Sequence, residues 1–472
     1  MGVMGEHAVV IGASMGGLVA AKTLSRRFRR VTVFERDVLP QKAENRRSVP
    51  HGAHAHALLI SGRLALEKLF PGLTDELVEG GAVLFDPGHD LLFHQMGALR
   101  VRFASGRLGV SLSRAYLERA VRGRVEALDN VTVRDRTPVR ELVLDRGRVT
   151  GVALDGDERI PTDLVVDATG RGGGGPSRTL RRFGYPEPGV DTVKIDVGYT
   201  TRLLHRSPGD LKDGALLYLM SAVPPHDKRA AAAFAIEGDR WMVTLGGWHR
   251  AHAPVDPAGF TDFATSLEAP EMAGLLARAK PLDDDNARKF TYPGARRRYY
   301  ERLRRLPAGH VALGDAICSF NPLYGQGMTV AALEAIALGE CLDRFKGPSA
   351  PMARAYYRAA GRIIDTPWQM ATGGDFVYPE TVGPRPPGTG LVNRYVRQVM
   401  LASHVSVHAH RIMLEVQHLL TAPSAVMRPA TVVRALFAAR RSPARDASAR
   451  PEPRFRGGRG ARSGPERYTV PG

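Results

Sequence analysis

Two glycine turns far apart in the chain carry residue types suited to a phosphorylated cofactor. The first reads Gly12-Ala13-Ser14-Met15-Gly16-Gly17. Gly12 permits a tight turn out of a strand, and Gly17 lets the next helix pack closely on that strand. The helix start then offers free N–H groups and a positive dipole end to a pyrophosphate. Ser14 takes the place of the usual middle glycine and is small enough for close backbone approach. Glu35 follows about 20 residues on, at the end of a second apolar run, where a carboxylate accepts hydrogen bonds from ribose hydroxyls. An acid there disfavours a 2′-phosphate, so the site suits FAD or NAD over NADP. Arg36, the next residue, joins the candidate set.

The second turn reads Gly314-Asp315 and then Asn321-Pro322-Leu323-Tyr324-Gly325-Gln326-Gly327-Met328. Asp315, at the carboxyl end of a strand, is placed to hold ribityl hydroxyls. The Gly325-Gln326-Gly327 turn opens a helix, with Met328 in its first turn, whose N-terminus faces an isoalloxazine edge that becomes negative on reduction. Pro322, Gly325 and Gly327 are expected to line that ring. FAD is the cofactor both turns point to.

Elements must bring these turns together. Residues 7–11 and 31–35 read as buried strands around a helix at 16–28, a βαβ unit that crosses over right-handed into a parallel sheet. A helix at 113–128, a strand meander at 131–133, 139–144 and 149–154, and a buried strand at 163–168 follow. From 190 the pattern changes to short, partly alternating runs at 194–204, 216–223, 232–236 and 241–245, the mark of an antiparallel sheet. Helices near 260–266 and 271–280 precede a strand at 310–313 and a helix at 328–342. The fold class is therefore α/β. Residues 1–187 form the first part of an FAD-binding domain of Rossmann type and 188–300 an inserted antiparallel substrate-binding sheet. Residues 301–345 return to the FAD domain, 346–440 form a helical C-terminal region, and 441–472 a disordered basic tail.

Composition bounds the rest. The chain has 472 residues and a formal net charge of +18, with 43% hydrophobic residues. Arg450, Arg454, Arg456, Arg459, Arg462 and Arg467 lie in the Gly/Pro/Ser-rich tail, so the charge reads as surface and tail arginine. No nucleic-acid module accompanies it, and no nucleic-acid partner is expected. Cys318 and Cys341 have neither disulfide nor metal spacing, which fits a reducing cytoplasm. No metal site is expected.

The two turns, together with Val165-Val166-Asp167-Ala168-Thr169-Gly170, resemble the single-component FAD monooxygenases of the aromatic-hydroxylase and squalene-epoxidase type. The stretch Arg46-Arg47-Ser48-Val49-Pro50-His51-Gly52 with His54 and His56 resembles the branch that contains bacterial polyether and polyene epoxidases. The resemblance covers residues 7–342. It implies a cycle in which NADPH or NADH reduces FAD, O₂ adds at flavin C4a, and the hydroperoxide delivers one oxygen atom. Epoxidation of an apolar polyene or polyketide-like substrate in secondary metabolism, such as antibiotic biosynthesis, is the implied reaction. It also implies that Arg47 and Arg114 contact FAD and that Val139 offers backbone atoms to the adenine. Asp167 belongs to the segment that serves FAD and NAD(P)H in the hydroxylases. That signature is incomplete here, so NADPH, NADH and a separate flavin reductase all stand as electron sources.

Several alternatives accompany this reading. An aromatic hydroxylase would need a base or relay for its ring. A reductase of isoprenoid chains would share the flavin fold. A halogenase is a further rival; tryptophan halogenases carry a Trp-x-Trp-x-Ile-Pro stretch, whereas Trp241, Trp248 and Trp368 are isolated. His54 and His56 read as structural, or as closing the flavin pocket, and Cys318 as packing. Tyr199, Trp241 and Trp248 read equally as pocket lining and as sheet core. The amphipathic run 391–420 has three uses: a cap on the substrate cleft, peripheral contact with a membrane, or a helix packed on the main body.

Overall fold

The computed structural model describes residues 3–444 apart from positions 173, 222 and 284–286. Most of the expected tail, 445–472, lies outside the described residues. The first layer is a parallel five-stranded sheet in the order His310–Ala312, Leu164–Asp167, Gly5–Ile11, Phe28–Phe34, Val131–Arg134. Its central strands are buried on both faces, as Ala8, Val9, Val10 and Val165, Val166 show, the pattern of a sheet covered on both sides. Ile11 pairs with Phe34 on one side and Asp167 on the other, and Asp167 pairs with Ala312. Four strand ends from distant parts of the chain therefore finish in one row, at the carboxyl edge where open α/β sheets bind ligands.

The returning strand His310–Ala312 lies at the sheet's edge and would expose unpaired backbone groups. Ala312 N instead donates to Tyr357 Oη at 2.8 Å, and Tyr356 Oη donates to Ala312 O at 3.0 Å. Both tyrosines come from the long helix Ala350–Asp375, which thereby closes the edge.

The helices that open the two turns, Met15–Ser25 and Gly327–Phe345, lie side by side. Gly16 faces Ala331 and Thr23 faces Gly339, so the helices run in the same direction. Arg27 and Asp343 tie their far ends at 2.6 Å. Both N-termini consequently open at the same end, and two positive dipole ends meet there.

The second layer is an eight-stranded sheet in the order Cys318–Ser319, Arg288–Arg298, Val190–His205, Arg240–Gly247, Arg229–Ile236, Leu217–Ser221, Leu91–Gln95, Ala98–Leu99. Its centre is antiparallel, as the alternating runs predict. Its margins differ: Leu91–Gln95 comes from the first part of the chain and pairs parallel with Leu217–Ser221. The sequence of Leu91–Gln95, Leu-Leu-Phe-His-Gln, does not alternate apolar and polar residues, so no strand period marks it. At the other margin Cys318–Ser319 pairs with Arg297 and Arg296, which stitches this sheet to the second glycine turn. Helices Pro257–Thr265 and Glu271–Arg278 cover the outer face over a core that includes Tyr218, Trp241, Phe260 and Met272.

The 391–420 run is not one helix. It divides into Thr389–Ala402 and Val407–Gln417, because Ser406 Oγ accepts from Ala409 N at 3.3 Å and caps a new start. Val399, Leu401, Met413 and Val416 share a core with Met96, so both helices pack on the main body. Among the described residues no helix is long and apolar enough to cross a membrane. Other boundaries shift by a few residues: the 113–128 helix is Arg114–Glu126 with Ser113 as its cap, and Val139 precedes the strand Glu141–Asp145.

Candidate active site

The first turn needs its glycines. Gly12 has φ +104°, and a Cβ on Gly17 would lie 1.7 Å from Gly12 O. Ser14 occupies the N-cap position but makes no side-chain cap bond. Its Oγ donates to Glu118 Oε2 at 3.1 Å and accepts from Arg114 Nη2 at 2.9 Å. The helix N–H groups are thus left free for another acceptor.

Around this turn lies a buried chain of charges. Glu35 Oε2 accepts from Ala13 N at 2.9 Å and Oε1 from Asp37 N at 3.0 Å. Arg46 bridges Glu35 at 3.1 Å and Glu118 at 2.7 Å, and Arg114 meets Glu118 at 2.9 Å. Burial opposes the Glu118 charge, yet Arg114 and Arg46 hold its carboxyl below its ordinary value. Buried charges survive only when paired in this way. Arg114 Nη1 is buried with no hydrogen-bond partner among the described residues, a donor directed to none of them.

The second turn is held from below. Gly314, at φ +68°, donates its N–H to Glu334 Oε2 at 2.6 Å. Glu334 is fully buried, and burial pushes its carboxyl up to about 8. Asp315 reaches solvent although protein surrounds it. That crowding pushes its carboxyl up to about 6, against the pull of Arg171, Arg114 and Arg296, so it is ionised at neutral pH. A Cβ on Gly327 would lie 3.7 Å from Asp315 Oδ1, which puts the carboxylate beside the second helix start. Gly325 is left-handed at φ +65°, and a Cβ there would meet Ala57 Cβ and O at 3.0 Å. Gln326 caps nothing with its side chain. Asn321 Oδ1 accepts from Leu323 N at 3.1 Å and shapes the short turn that begins at Pro322.

Ala57 belongs to a segment that packs between this turn and the large sheet. His54 Nδ1 shares a hydrogen bond with Thr201 Oγ1 at 2.8 Å, and Thr201 with Thr244 at 2.6 Å. The His54 ring meets Tyr199 edge-on at 4.8 Å, while His51 lies 5.6 Å from His56 and 5.9 Å from Phe290. Burial lowers His51 and His54 to about 4 and His56 to about 3. All three imidazoles are neutral at pH 7, and with Tyr199 and Phe290 they form an uncharged, ring-lined wall.

Gly12, Ser14, Gly17, Glu35, Arg114, Asp315, Gly325, Gly327 and Met328 thus converge on one sheet edge, a site able to take a dinucleotide stretched from turn to turn. Arg36 and Arg47 are exposed; the buried arginine of that stretch is Arg46. Asp167 is buried and accepts from Thr169 N at 3.0 Å, shaping its own turn. Val139 is half-buried against the small sheet. Of the aromatic candidates, Tyr199 joins the wall. Trp241 and Trp248 donate to Asp210 and Asp375 at 2.8 Å each. Cys318 is buried, and burial raises its thiol. Glu118, Glu334 and Asp375 escape sequence reasoning, and Arg46 enters it only within the Arg46–Gly52 stretch, with no role of its own. Only Glu118 carries a local signal, its i,i+4 spacing from Arg114.

Residues 10–64 match the family model of the NAD(P)-binding Rossmann-like domain. Protein Rv3254 of Mycobacterium tuberculosis is 34% identical over 398 residues, 79% of this chain and 81% of that protein. Squalene monooxygenase 1,2 of Brassica napus is 24% identical over 72% of this chain and 61% of its own length. The chain belongs to the single-component FAD-dependent monooxygenase family. The fold of this monooxygenase agrees with that of PqsL, a probable FAD-dependent monooxygenase from Pseudomonas aeruginosa. The TM-score is 0.58 at 20% identity, over 79% of this chain and 97% of PqsL. The flavin-dependent brominase Bmp2 shares the fold at a TM-score of 0.62 and 12% identity, over 93% of this chain and 99% of Bmp2. The monooxygenase fold therefore serves more than one oxidation.

Proposed function

We propose that this monooxygenase epoxidises C=C bonds of an apolar polyene or polyketide-like substrate, with NADPH or NADH as electron donor. Each turnover consumes one alkene bond, O₂, NAD(P)H and a proton, and yields an epoxide, water and NAD(P)⁺. The resident cofactor is FAD, which supplies oxygen activation when reduced. Glu35 would hold its adenosine ribose, the Gly12–Gly17 turn and Arg114 Nη1, which has no partner among the described residues, its pyrophosphate, and Asp315 its ribityl hydroxyls. The turn from Pro322 to Met328 would face the ring, where the helix start would favour negative charge.

The observation that carries the epoxidase reading is the cluster of rings in the segment whose Ala57 meets the Gly325 turn. An alkene needs only position and dryness beside the cofactor. A phenol would need a base, and burial holds the three imidazoles well below their ordinary value, which makes them weak proton acceptors, while burial raises Tyr199 well beyond its ordinary value. A base is what ring hydroxylation requires. Incubation of the FAD-loaded chain with NADPH, ¹⁸O₂ and candidate polyenes tests this by product mass. Gain of one labelled oxygen per modified double bond supports epoxidation. Label on an aromatic ring points to hydroxylation, and gain of two hydrogens without O₂ to a reductase.

A further inference from the structure

Asp375 ends the helix Ala350–Asp375 and is fully buried. Its Oδ1 accepts from Trp248 Nε1 at 2.8 Å, Asn321 Nδ2 at 2.8 Å and Tyr324 Oη at 3.3 Å. Trp248 follows a strand of the large sheet, while Asn321 and Tyr324 bracket Pro322 in the second glycine turn. One oxygen atom therefore joins helix, sheet and turn. The approach is close enough that a Cβ on Gly374 would lie 2.3 Å from Tyr324 Oη.

The other oxygen, Oδ2, is buried with no partner among the described residues. No cation pairs with Asp375 among them either. From the sheet side and the segment after the helix, Asp227 is taken by Arg229 at 2.8 Å, Lys228 by Glu380, and His249 bonds Thr381 at 3.1 Å. Tyr378, whose ionisation burial and then the nearby carboxylates oppose, stays neutral. A buried carboxylate with an unused oxygen costs stability, so packing does not account for an acid here.

We propose that Asp375 is a positioning residue for the turn from Asn321 to Met328, gripping it when ionised and loosening it when protonated, so that affinity for FAD falls as pH is lowered. The proposal rests on the reading that this turn faces the flavin. Hydrogen bonds to a carboxylate are about twice as strong as those to a neutral acid. Protonation at Oδ2 leaves all three donors on a weaker acceptor. Burial pushes the carboxyl up to about 7, against the donors Trp248, Asn321 and Tyr324, so the change falls in the neutral range.

The test uses the full chain as wild type, Asp375→Asn and Asp375→Ala. FAD is titrated by flavin fluorescence at pH 6, 7 and 8.5, and tryptophan emission of the FAD-free chain is followed over the same range. The wild-type Kd is expected to rise about tenfold from pH 8.5 to 6, a step of roughly 1.4 kcal/mol. Asp375→Asn keeps an acceptor but has no charge to lose, so its Kd should be intermediate and should lose most of the wild-type step, keeping only the smaller change that Asp315, at about 6, and Glu334, at about 8, contribute. Asp375→Ala should bind at least about tenfold more weakly than wild type at pH 8.5. Trp248 emission should titrate in wild type and not in Asp375→Asn. Wild-type affinity in Asp375→Ala, a pH step in Asp375→Asn as large as that of wild type, or wild-type emission that does not titrate would each overturn the proposal. A wild-type chain that takes up no FAD at any pH would sink the flavin reading itself, while the emission titration would still decide whether Asp375 changes charge.

Discussion

Glu334→Gln should make the protein more stable in alkali and leave it nearly unchanged in mild acid. Glu334 holds Gly314 N–H at 2.6 Å with one oxygen, while the other is buried without a partner among the described residues. Burial, with the nearby Asp315, raises its carboxyl from 4.5 to about 8. A carboxyl raised in the folded state holds a proton that the unfolded chain releases. Stability from this group is therefore full below pH 4.5 and is lost as pH rises towards 8. Between pH 6 and 9 the loss is about 2.7 kcal/mol, at 1.36 kcal/mol per pH unit until the folded-state carboxyl itself ionises at about 8. Glutamine keeps the acceptor for Gly314 and cannot ionise, so at pH 6 the variant should lie within ~1 kcal/mol of wild type. For a chain of this length an unfolding entropy of ~2.1 cal/mol/K per residue makes about 3 °C of that loss. Thermal unfolding of both proteins without cofactor, at half-unit steps from pH 6 to 9, reads the difference. Wild type should fall relative to the variant by about 3 °C over that range. Parallel curves would refute the placement of Glu334 as a buried, proton-holding clamp on the Gly314 turn.

Asp315→Ala removes the carboxylate beside the second helix start and should lower FAD retention on gel filtration. An equally yellow, equally active protein would refute its role. Arg46→Met leaves Glu35 and Glu118 buried without the cation between them, and should cost about 3–5 kcal/mol in chemical denaturation. A loss below ~1 kcal/mol would show that Arg114 alone neutralises the cluster.

The sequence by itself determined the two glycine turns, the strand–helix–strand unit and the antiparallel middle of the chain. These are encoded locally. A turn that needs φ +104° at Gly12 or +68° at Gly314 admits little but glycine, and strand and helix periods repeat within a few residues. It also placed Glu35 and Asp315 at strand ends. What the tertiary structure alone decided is which groups meet. Two helices run side by side so that both starts open at one end, Arg46 rather than Arg47 is buried between Glu35 and Glu118, and Asp375 reaches the Asn321 turn from 54 residues away. The 391–420 run looks continuous because its apolar spacing hides the Ser406 cap. Contacts between residues far apart leave no period behind them: a buried charge is specified by its partner's position in space, and that position exists only once the sheets and helices have packed.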